Sequence, residues 1–172
     1  MASKAAVVIL RLLTLALLVT SLALIAADKL KDDIDDPPQT FTFKDVHTYR
    51  YLLAVSVIGC AYTLLHLPFA IIAGSKPVTG AAALLVVLAD VAFALLLATG
   101  AAAGLGFTHD VKRYFDDVLF RGADDGSSPE IAGLHRDVDR FFDMAFASSG
   151  LMLAAAACTV VMIVMSVHSL AK

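Results

Sequence analysis

The stretch that decides the fold is LLVVLADVAFALLLATGAAA, residues 84–103, in which Asp90 is the only charged side chain. A helix of about 20 mostly apolar residues is long enough to cross the hydrocarbon core of a bilayer. A carboxylate at that depth has no water around it, and inserting one costs roughly 2.5–3.5 kcal/mol on insertion scales. The stretch therefore predicts a membrane helix in which Asp90 needs a partner, a water-filled path or a proton.

Three further apolar stretches of similar length lie along the 172-residue chain. Hydrophobic residues make up 59% of the sequence and charged residues 17%, which is too apolar for a soluble globule of this size. We therefore expect an all-α integral membrane protein, folded as one four-transmembrane-helix bundle that covers residues 1–172. The predicted spans are about 5–27, 51–73, 81–106 and 141–167.

The two longer connections, about 28–50 and 107–140, lie on the same side of such a bundle. In the second, Val111, Tyr114 and Phe115 begin an apolar stripe at helical spacing. Ser127-Ser128-Pro129-Glu130 is typical of a helix start. The last connection is therefore predicted to contain two short amphipathic helices. The apolar positions that define them are Val111, Tyr114, Phe115, Val118, Leu119, Ile131, Leu134, Val138, Phe141 and Phe142.

Three ionisable residues are expected at a similar depth. Arg11 lies about six residues into the first span, roughly 9 Å, and Asp90 about nine residues into the third, roughly 14 Å. His66 of the second span falls in the same layer. An Arg11–Asp90 pair that holds the first and third spans in register is our leading hypothesis. The alternatives are that Arg11 snorkels to the surface, that Asp90 is protonated, or that Asp90 and His66 relay protons.

Small residues predict where helices approach closely. Gly100 and Gly104 form a GxxxG pattern in the third span, and Gly150 and Ala154 repeat this spacing in the fourth. In lipid, small residues let helix backbones come together. These four residues are expected to pack helices within the bundle or to form a contact between subunits.

Other chemistry finds little support in the sequence. No acid, base and nucleophile are spaced as a catalytic set, so we expect no enzyme, no catalytic residue, no cofactor and no metal site. Nothing in the sequence points to a nucleic acid. The first span also has features of a cleavable signal peptide, with Lys4 before it and a small-x-small site at Ser21-Leu22-Ala23. Arg11 inside the apolar stretch argues against that interpretation.

Three short motifs carry a family resemblance. They are Arg11 within Leu10-Arg11-Leu12-Leu13, the stretch YRYLLAV at residues 49–55, and Asp90 within Leu88-Ala89-Asp90-Val91. With four spans, they resemble the plant Casparian strip membrane domain protein family, and more specifically the CASP-like proteins, which are related to the MARVEL four-helix proteins. Arg11 and Asp90 match the two membrane charges that mark this family.

The resemblance implies a plasma-membrane protein with cytoplasmic N- and C-termini and two extracellular loops. It also implies a scaffold that associates with itself or with related four-span proteins and forms stable membrane domains. In the endodermal subgroup, the resemblance further implies that cell-wall-modifying enzymes are recruited. The first loop lacks the signature of the endodermal subgroup. Counting Lys and Arg alone would instead place the two longer loops in the cytoplasm. The alternative function is a small proton-coupled transporter or channel subunit that uses Asp90.

Overall fold

The computed structural model of the protein describes residues 4–27, 29–32, 39–42, 46–72, 80–115, 117 and 129–170. Four long helices account for most of this part of the chain, and a two-stranded hairpin joins the first two. The elements in chain order are α1 Lys4–Ala27, β1 Lys29–Asp32, β2 Gln39–Thr42, α2 His47–Ile72, α3 Gly80–Tyr114 and α4 Pro129–Leu170.

Each of the four helices contains a segment that is long and apolar enough to cross a membrane. A segment that is apolar all round is what a lipid-facing helix requires, because lipid surrounds its outer face. The segments are Ala5–Ala27, His47–Pro68, Leu84–Tyr114 and His135–His168.

The helices pack as a ring. Helix α1 lies between α2 and α4, and α3 lies between the same two helices on the opposite side. Consecutive helices are therefore neighbours, which is the up-and-down arrangement common in four-helix bundles. Helices α1 and α3 face each other across the diagonal of the bundle, so only long side chains can join them.

Polar side chains lie inside the bundle, while many large apolar side chains are exposed on its surface. On α1 the buried stripe includes Arg11, Thr14 and Ser21, whereas Ile9 and Val19 are exposed. Lipid solvates the apolar side chains, while polar groups find partners only inside the bundle. Several buried hydroxyls donate to the carbonyl oxygen four residues earlier on their own helix. These bonds join Thr14 to Leu10, Ser56 to Leu52, Thr63 to Gly59 and Thr159 to Ala155.

Aromatic residues fill the end of the bundle that carries the hairpin. Tyr49 is fully buried, and its ring makes edge contacts with Phe107 and Phe141 at centroid distances of 5.7 and 5.8 Å. Its hydroxyl lies 3.1 Å from Oγ1 of Thr108, so the polar end of the ring is also satisfied. Tyr49 itself therefore lies in the packed core.

The two separate amphipathic helices predicted for the last connection do not occur in the described residues. The first apolar stripe instead continues α3 as far as Tyr114, and the second belongs to α4, which begins at Pro129. No proline interrupts residues 107–114, so nothing ends α3 at the membrane boundary. Lys112 then bridges the two extensions, with Nζ 3.1 Å from Asp139 and 3.2 Å from Asp143. Val118, Leu119 and the Ser127-Ser128 cap lie outside the described residues.

The hairpin of the first connection is an addition to the predicted all-α fold. Its strands pair antiparallel, with Lys29 opposite Thr42 and Asp32 opposite Gln39. Residues 40–43 alternate polar and aromatic side chains, a pattern typical of an extended segment, and β2 covers three of these four residues. Its partner strand, β1, lies in the charged run after α1, where the sequence pattern predicts no strand.

Candidate intramembrane charge cluster

Arg11 and Asp90 reach the interior because each lies on the inward face of its helix. On α1, Arg11 precedes buried Thr14 at helical spacing, and on α3, Asp90 shares its face with buried Phe93 and Leu97. Since α1 and α3 are diagonal in the bundle, the two side chains meet near its middle. They retain only 7% and 3% of their side-chain exposure.

The ion pair is made end-on by one guanidinium nitrogen. Nη2 of Arg11 donates to Oδ2 of Asp90 at 3.0 Å and to Oδ1 at 3.3 Å. The Nε of Arg11 is buried and has no hydrogen-bond partner within the described part of the chain. Opposite charges attract strongly where water is excluded, whereas either charge alone would carry a large desolvation cost. The pair therefore compensates both charges and leaves one donor of Arg11 unused.

Tyr62 of α2 is the third polar side chain here, and sequence reasoning missed it. Its hydroxyl donates to Oδ1 of Asp90 at 2.7 Å. A signal was available, because Tyr62 precedes His66 by one helical turn and so shares its face. A tyrosine in an apolar stretch is, however, usually interpreted as packing. We refer to Arg11, Tyr62 and Asp90 as the charge cluster.

His66 lies beside the charge cluster and contacts it through Tyr62. The centroids of the two rings are 4.3 Å apart, and their planes are inclined by 35°. Tyr62 also stacks on Phe93, with centroids 4.4 Å apart and an angle of 29°. The Tyr62 ring therefore contacts one aromatic ring from its own helix and one from α3. His66 is thus a packing neighbour of the ring that reaches Asp90.

The two glycines of the GxxxG pattern lie inside the bundle. A Cβ atom at Gly100 would lie 3.0 Å from both the Met152 sulfur and a Val55 methyl. A Cβ at Gly104 would overlap the hydroxyl oxygen of Ser149 and lie 3.2 Å from Leu52. Both glycines therefore allow α3 to approach α2 and α4 closely.

Gly150 and Ala154 have a different environment, although their spacing in the sequence is the same. Both are exposed on the outer face of α4, and a Cβ added at Gly150 would meet no atom within 4 Å. They do not pack one helix against another among the described residues. Of the four small residues singled out in the sequence, two are therefore buried between helices and two are exposed.

A second polar layer joins α1 to α4. The hydroxyl of Ser21 donates to the carbonyl oxygen of Ser148, and the hydroxyl of Ser148 lies within donating distance of the carbonyl of Ser21, each at 2.9 Å. The two hydroxyl oxygens are themselves 2.9 Å apart. Ser149 follows on α4, buried against Gly104. We refer to Ser21, Ser148, Ser149 and Gly104 as the serine layer.

The hydrogen bonds of the charge cluster fit a structural role better than a role in carrying protons or ions. An ionised carboxylate is an acceptor only, and Asp90 accepts from donors on two other helices. A proton carrier needs access to a path, whereas this carboxylate is already engaged by Arg11 and Tyr62. The transporter or channel alternative is therefore not favoured.

The fold and this cluster define a multi-pass integral membrane protein, with four candidate spans and a buried ion pair in the described part of the chain. Residues 1–119 match the Casparian strip membrane protein domain. The match covers more than half of the chain, and the chain belongs to this plant family. The resemblance drawn from Arg11 and Asp90 is thereby confirmed.

Relatives along nearly the whole chain agree with this assignment. The chain is 58% identical to CASP-like protein 4D1 of Sorghum bicolor, over 97% of this chain and 91% of the relative. It is 35% identical to CASP-like protein 4D2 of Arabidopsis thaliana, over 98% of this chain and 91% of the relative. It is 34% identical to CASP-like protein 4D1 of Ricinus communis, over 100% and 95%. No solved structure matches the chain.

Proposed function

We propose that this protein is a self-associating scaffold of the plasma membrane, which acts by assembly and not by catalysis. The observation that carries the proposal is the charge cluster, which connects α1, α2 and α3 inside a bundle of the CASP family. Helices fixed to one another present constant outer faces to their neighbours. Repeated contacts between copies require such faces.

The outer face of α4 is the proposed contact between copies. Gly150 and Ala154 are exposed there, and Ala147 and Ala157 are exposed nearby on the same helix. Four small residues on a lipid-facing surface leave a shallow groove into which another helix can pack. The partner we propose is a second copy of this chain or a related four-span protein.

The proposed orientation has both termini in the cytoplasm and the connections at about 28–50 and 107–140 outside the cell. The family supports this arrangement, although the Lys and Arg count favours the reverse. Loops outside the cell would face the wall, and we propose that cell-wall-modifying enzymes are recruited there.

Photobleaching recovery at the plasma membrane of a plant cell tests the scaffold. We expect slow or absent recovery for the fluorescently tagged parent. We expect faster recovery for Asp90→Asn, because the loss of one charge leaves Arg11 uncompensated and loosens the bundle. Only molecules at the cell surface are counted, which separates assembly from failure of transport to the surface. Fast recovery of both proteins contradicts the proposal.

A matched pair of glycine variants tests the contact surface. Gly150 of α4 and Gly106 of α3 are both exposed, and neither has an atom within 4 Å of an added Cβ. The bundle therefore has room for a larger side chain at either position. We expect Gly150→Leu to reduce energy transfer between two tagged copies and Gly106→Leu to leave it unchanged. Equal effects of the two variants contradict a contact through α4.

A single substitution tests the orientation. The sequence contains no asparagine, so any N-linked glycan on a variant reports an introduced site. Asp125→Asn creates the acceptor sequence Asn-Gly-Ser with Gly126 and Ser127. We expect a glycan that endoglycosidase removes, together with protection of a C-terminal tag from protease in intact cells. Cleavage of that tag in intact cells contradicts the proposed orientation.

A further inference from the structure

We propose that Tyr62 is a positioning residue of the charge cluster, which orients the Asp90 carboxylate and connects α2 to the diagonal pair of α1 and α3. The bond from its hydroxyl to Oδ1 is 2.7 Å, the shortest in the cluster. The longer contact of Arg11 with the same oxygen is 3.3 Å. Oδ1 is therefore held mainly by Tyr62.

The geometry of Arg11 explains why a second donor is needed. The strongest arginine–carboxylate pairs use two nitrogens, one for each oxygen. Here Nη2 alone serves both oxygens, and Nε has no partner among the described residues. The two N–H bonds of Nη2 diverge too widely to align with both oxygens of one carboxylate, and its shorter bond goes to Oδ2. Tyr62 supplies the short bond that Oδ1 would otherwise lack.

The ring of Tyr62 is held so that its hydroxyl points at Asp90. Phe93 stacks on it with centroids 4.4 Å apart, and His66 contacts it as a tilted ring with centroids 4.3 Å apart. Phe93 lies on α3 one turn after Asp90, so one face of α3 supplies both the acceptor and a support for the donor. His66 supports the ring from α2 itself. This packing persists if only the hydroxyl is removed, which makes Tyr62→Phe an isosteric test.

Two donors, one on α1 and one on α2, make Asp90 a shared acceptor. Arg11 alone would connect only α1 and α3, which lie diagonally opposite in the bundle and have few contacts with each other. With Tyr62, the carboxylate also fixes the rotation and depth of α2. A role of the cluster in assembly rests on the proposed scaffold function, but its role in the fold does not.

The test is a mutant cycle on the purified full chain in detergent micelles. The readout is the midpoint of heat denaturation. Fluorescence-detected size-exclusion chromatography measures how much folded protein remains at each temperature. In the native background we expect Tyr62→Phe to lower the midpoint by about 2–6 °C, as the loss of an interhelical hydrogen bond would. Tyr51→Phe is the matched control, because its hydroxyl is exposed and lies 3.4 Å from Thr99. We expect it to change the midpoint by less than about 1 °C.

The second background carries Arg11→Leu and Asp90→Leu together. Replacing both charges leaves no uncompensated charge, so this background folds. There the Tyr62 hydroxyl has lost its acceptor, and we expect Tyr62→Phe to leave the midpoint unchanged or to raise it. An equal decrease in both backgrounds, or an effect no larger than that of Tyr51→Phe, overturns the proposal. If the cycle behaves as expected while the parent recovers fast after photobleaching, the cluster is upheld and the scaffold function fails.

Discussion

The charge cluster and the serine layer are two polar regions of one bundle, and they are built in opposite ways. In the charge cluster, long side chains cross the bundle and join diagonal helices through an ion pair. In the serine layer, short side chains bond to the backbone of an adjacent helix, which requires the helices to lie close together. The first region depends on paired charge, and the second depends on small size.

This difference sets the scale of what a mutation does in each region. Removing one member of a buried ion pair leaves a charge that nothing compensates, at a cost of about 3–5 kcal/mol. An interhelical hydrogen bond in a membrane averages only about 0.6 kcal/mol, with a maximum of about 1.7 kcal/mol. A single substitution in the charge cluster is therefore expected to destabilise the bundle more than one in the serine layer.

The largest expected effect is on the charge cluster. We expect Asp90→Leu to destabilise the bundle by about 3–5 kcal/mol, because Arg11 then remains buried without its partner. The measurement is the yield of monodisperse protein and its heat-denaturation midpoint in micelles.

The control for Asp90→Leu is the double variant in which Arg11 is also changed to Leu. We expect it to recover most of the lost stability, since no charge is left in the interior. A double variant that is no more stable than Asp90→Leu would show that the cost comes from packing and not from charge.

An intermediate effect is expected where the serine layer depends on size. Gly104→Ala places a methyl group against the Ser149 hydroxyl and Leu52, and we expect a loss of about 1–3 kcal/mol from overpacking. Gly106→Ala is the control, because nothing lies within 4 Å of its added Cβ. Its stability should stay within about 0.5 kcal/mol of the parent. Both are measured as shifts of the heat-denaturation midpoint.

Ser149→Ala then sharpens the test of Gly104. The Ser149 hydroxyl is buried without a partner in the described structure, so its removal alone should cost little. Combined with Gly104→Ala, it removes the atom that the new methyl group meets first. We expect partial rescue, and the absence of any rescue would place the strain elsewhere.

The smallest expected effect concerns the serine bonds themselves. We expect Ser148→Ala to destabilise by about 0.6–1.7 kcal/mol, because the hydroxyl of Ser148 is lost from both of its contacts with Ser21. Ser21→Ala should have a similar effect, and the double variant should cost less than the sum. Strict additivity in the measured midpoints would show that the two hydroxyls act independently.

Sequence reasoning located Arg11 and Asp90 because a charge in an apolar stretch is conspicuous at any depth. It did not find Tyr62, because a tyrosine in a membrane helix can pack in the core, lie at the membrane–water interface or donate a hydrogen bond. Which of these applies depends on the neighbours of the hydroxyl. Only the fold brings that hydroxyl to Asp90.

The small residues show the same limit. Gly104 and Gly150 belong to equivalent small-xxx-small patterns, yet one is buried against Ser149 and the other is exposed on α4. The pattern reports a surface that another helix can approach. It contains no information on which helix does so, because that depends on how each helix is rotated about its axis.

The last connection shows where local patterns mislead. The described parts of its apolar stripes are helical, as predicted, but they belong to α3 and α4 and not to two separate helices. A helix continues until a residue stops it or its packing ends, and here α3 and α4 support each other beyond the apolar spans through Lys112, Asp139 and Asp143. The periodicity of one segment cannot show that a second segment lies beside it.

The sequence by itself determined that this chain crosses the membrane, that it does so as four helices, and that it belongs to the CASP family. Those properties follow from the length, composition and order of the apolar segments. Each segment meets the requirement for crossing a bilayer by itself, independently of the others. Tertiary structure alone decided that Arg11 meets Asp90 across the diagonal, that Tyr62 joins them, and which glycines lie inside. Those properties depend on the rotation and depth of helices far apart in sequence, and only their mutual packing sets these.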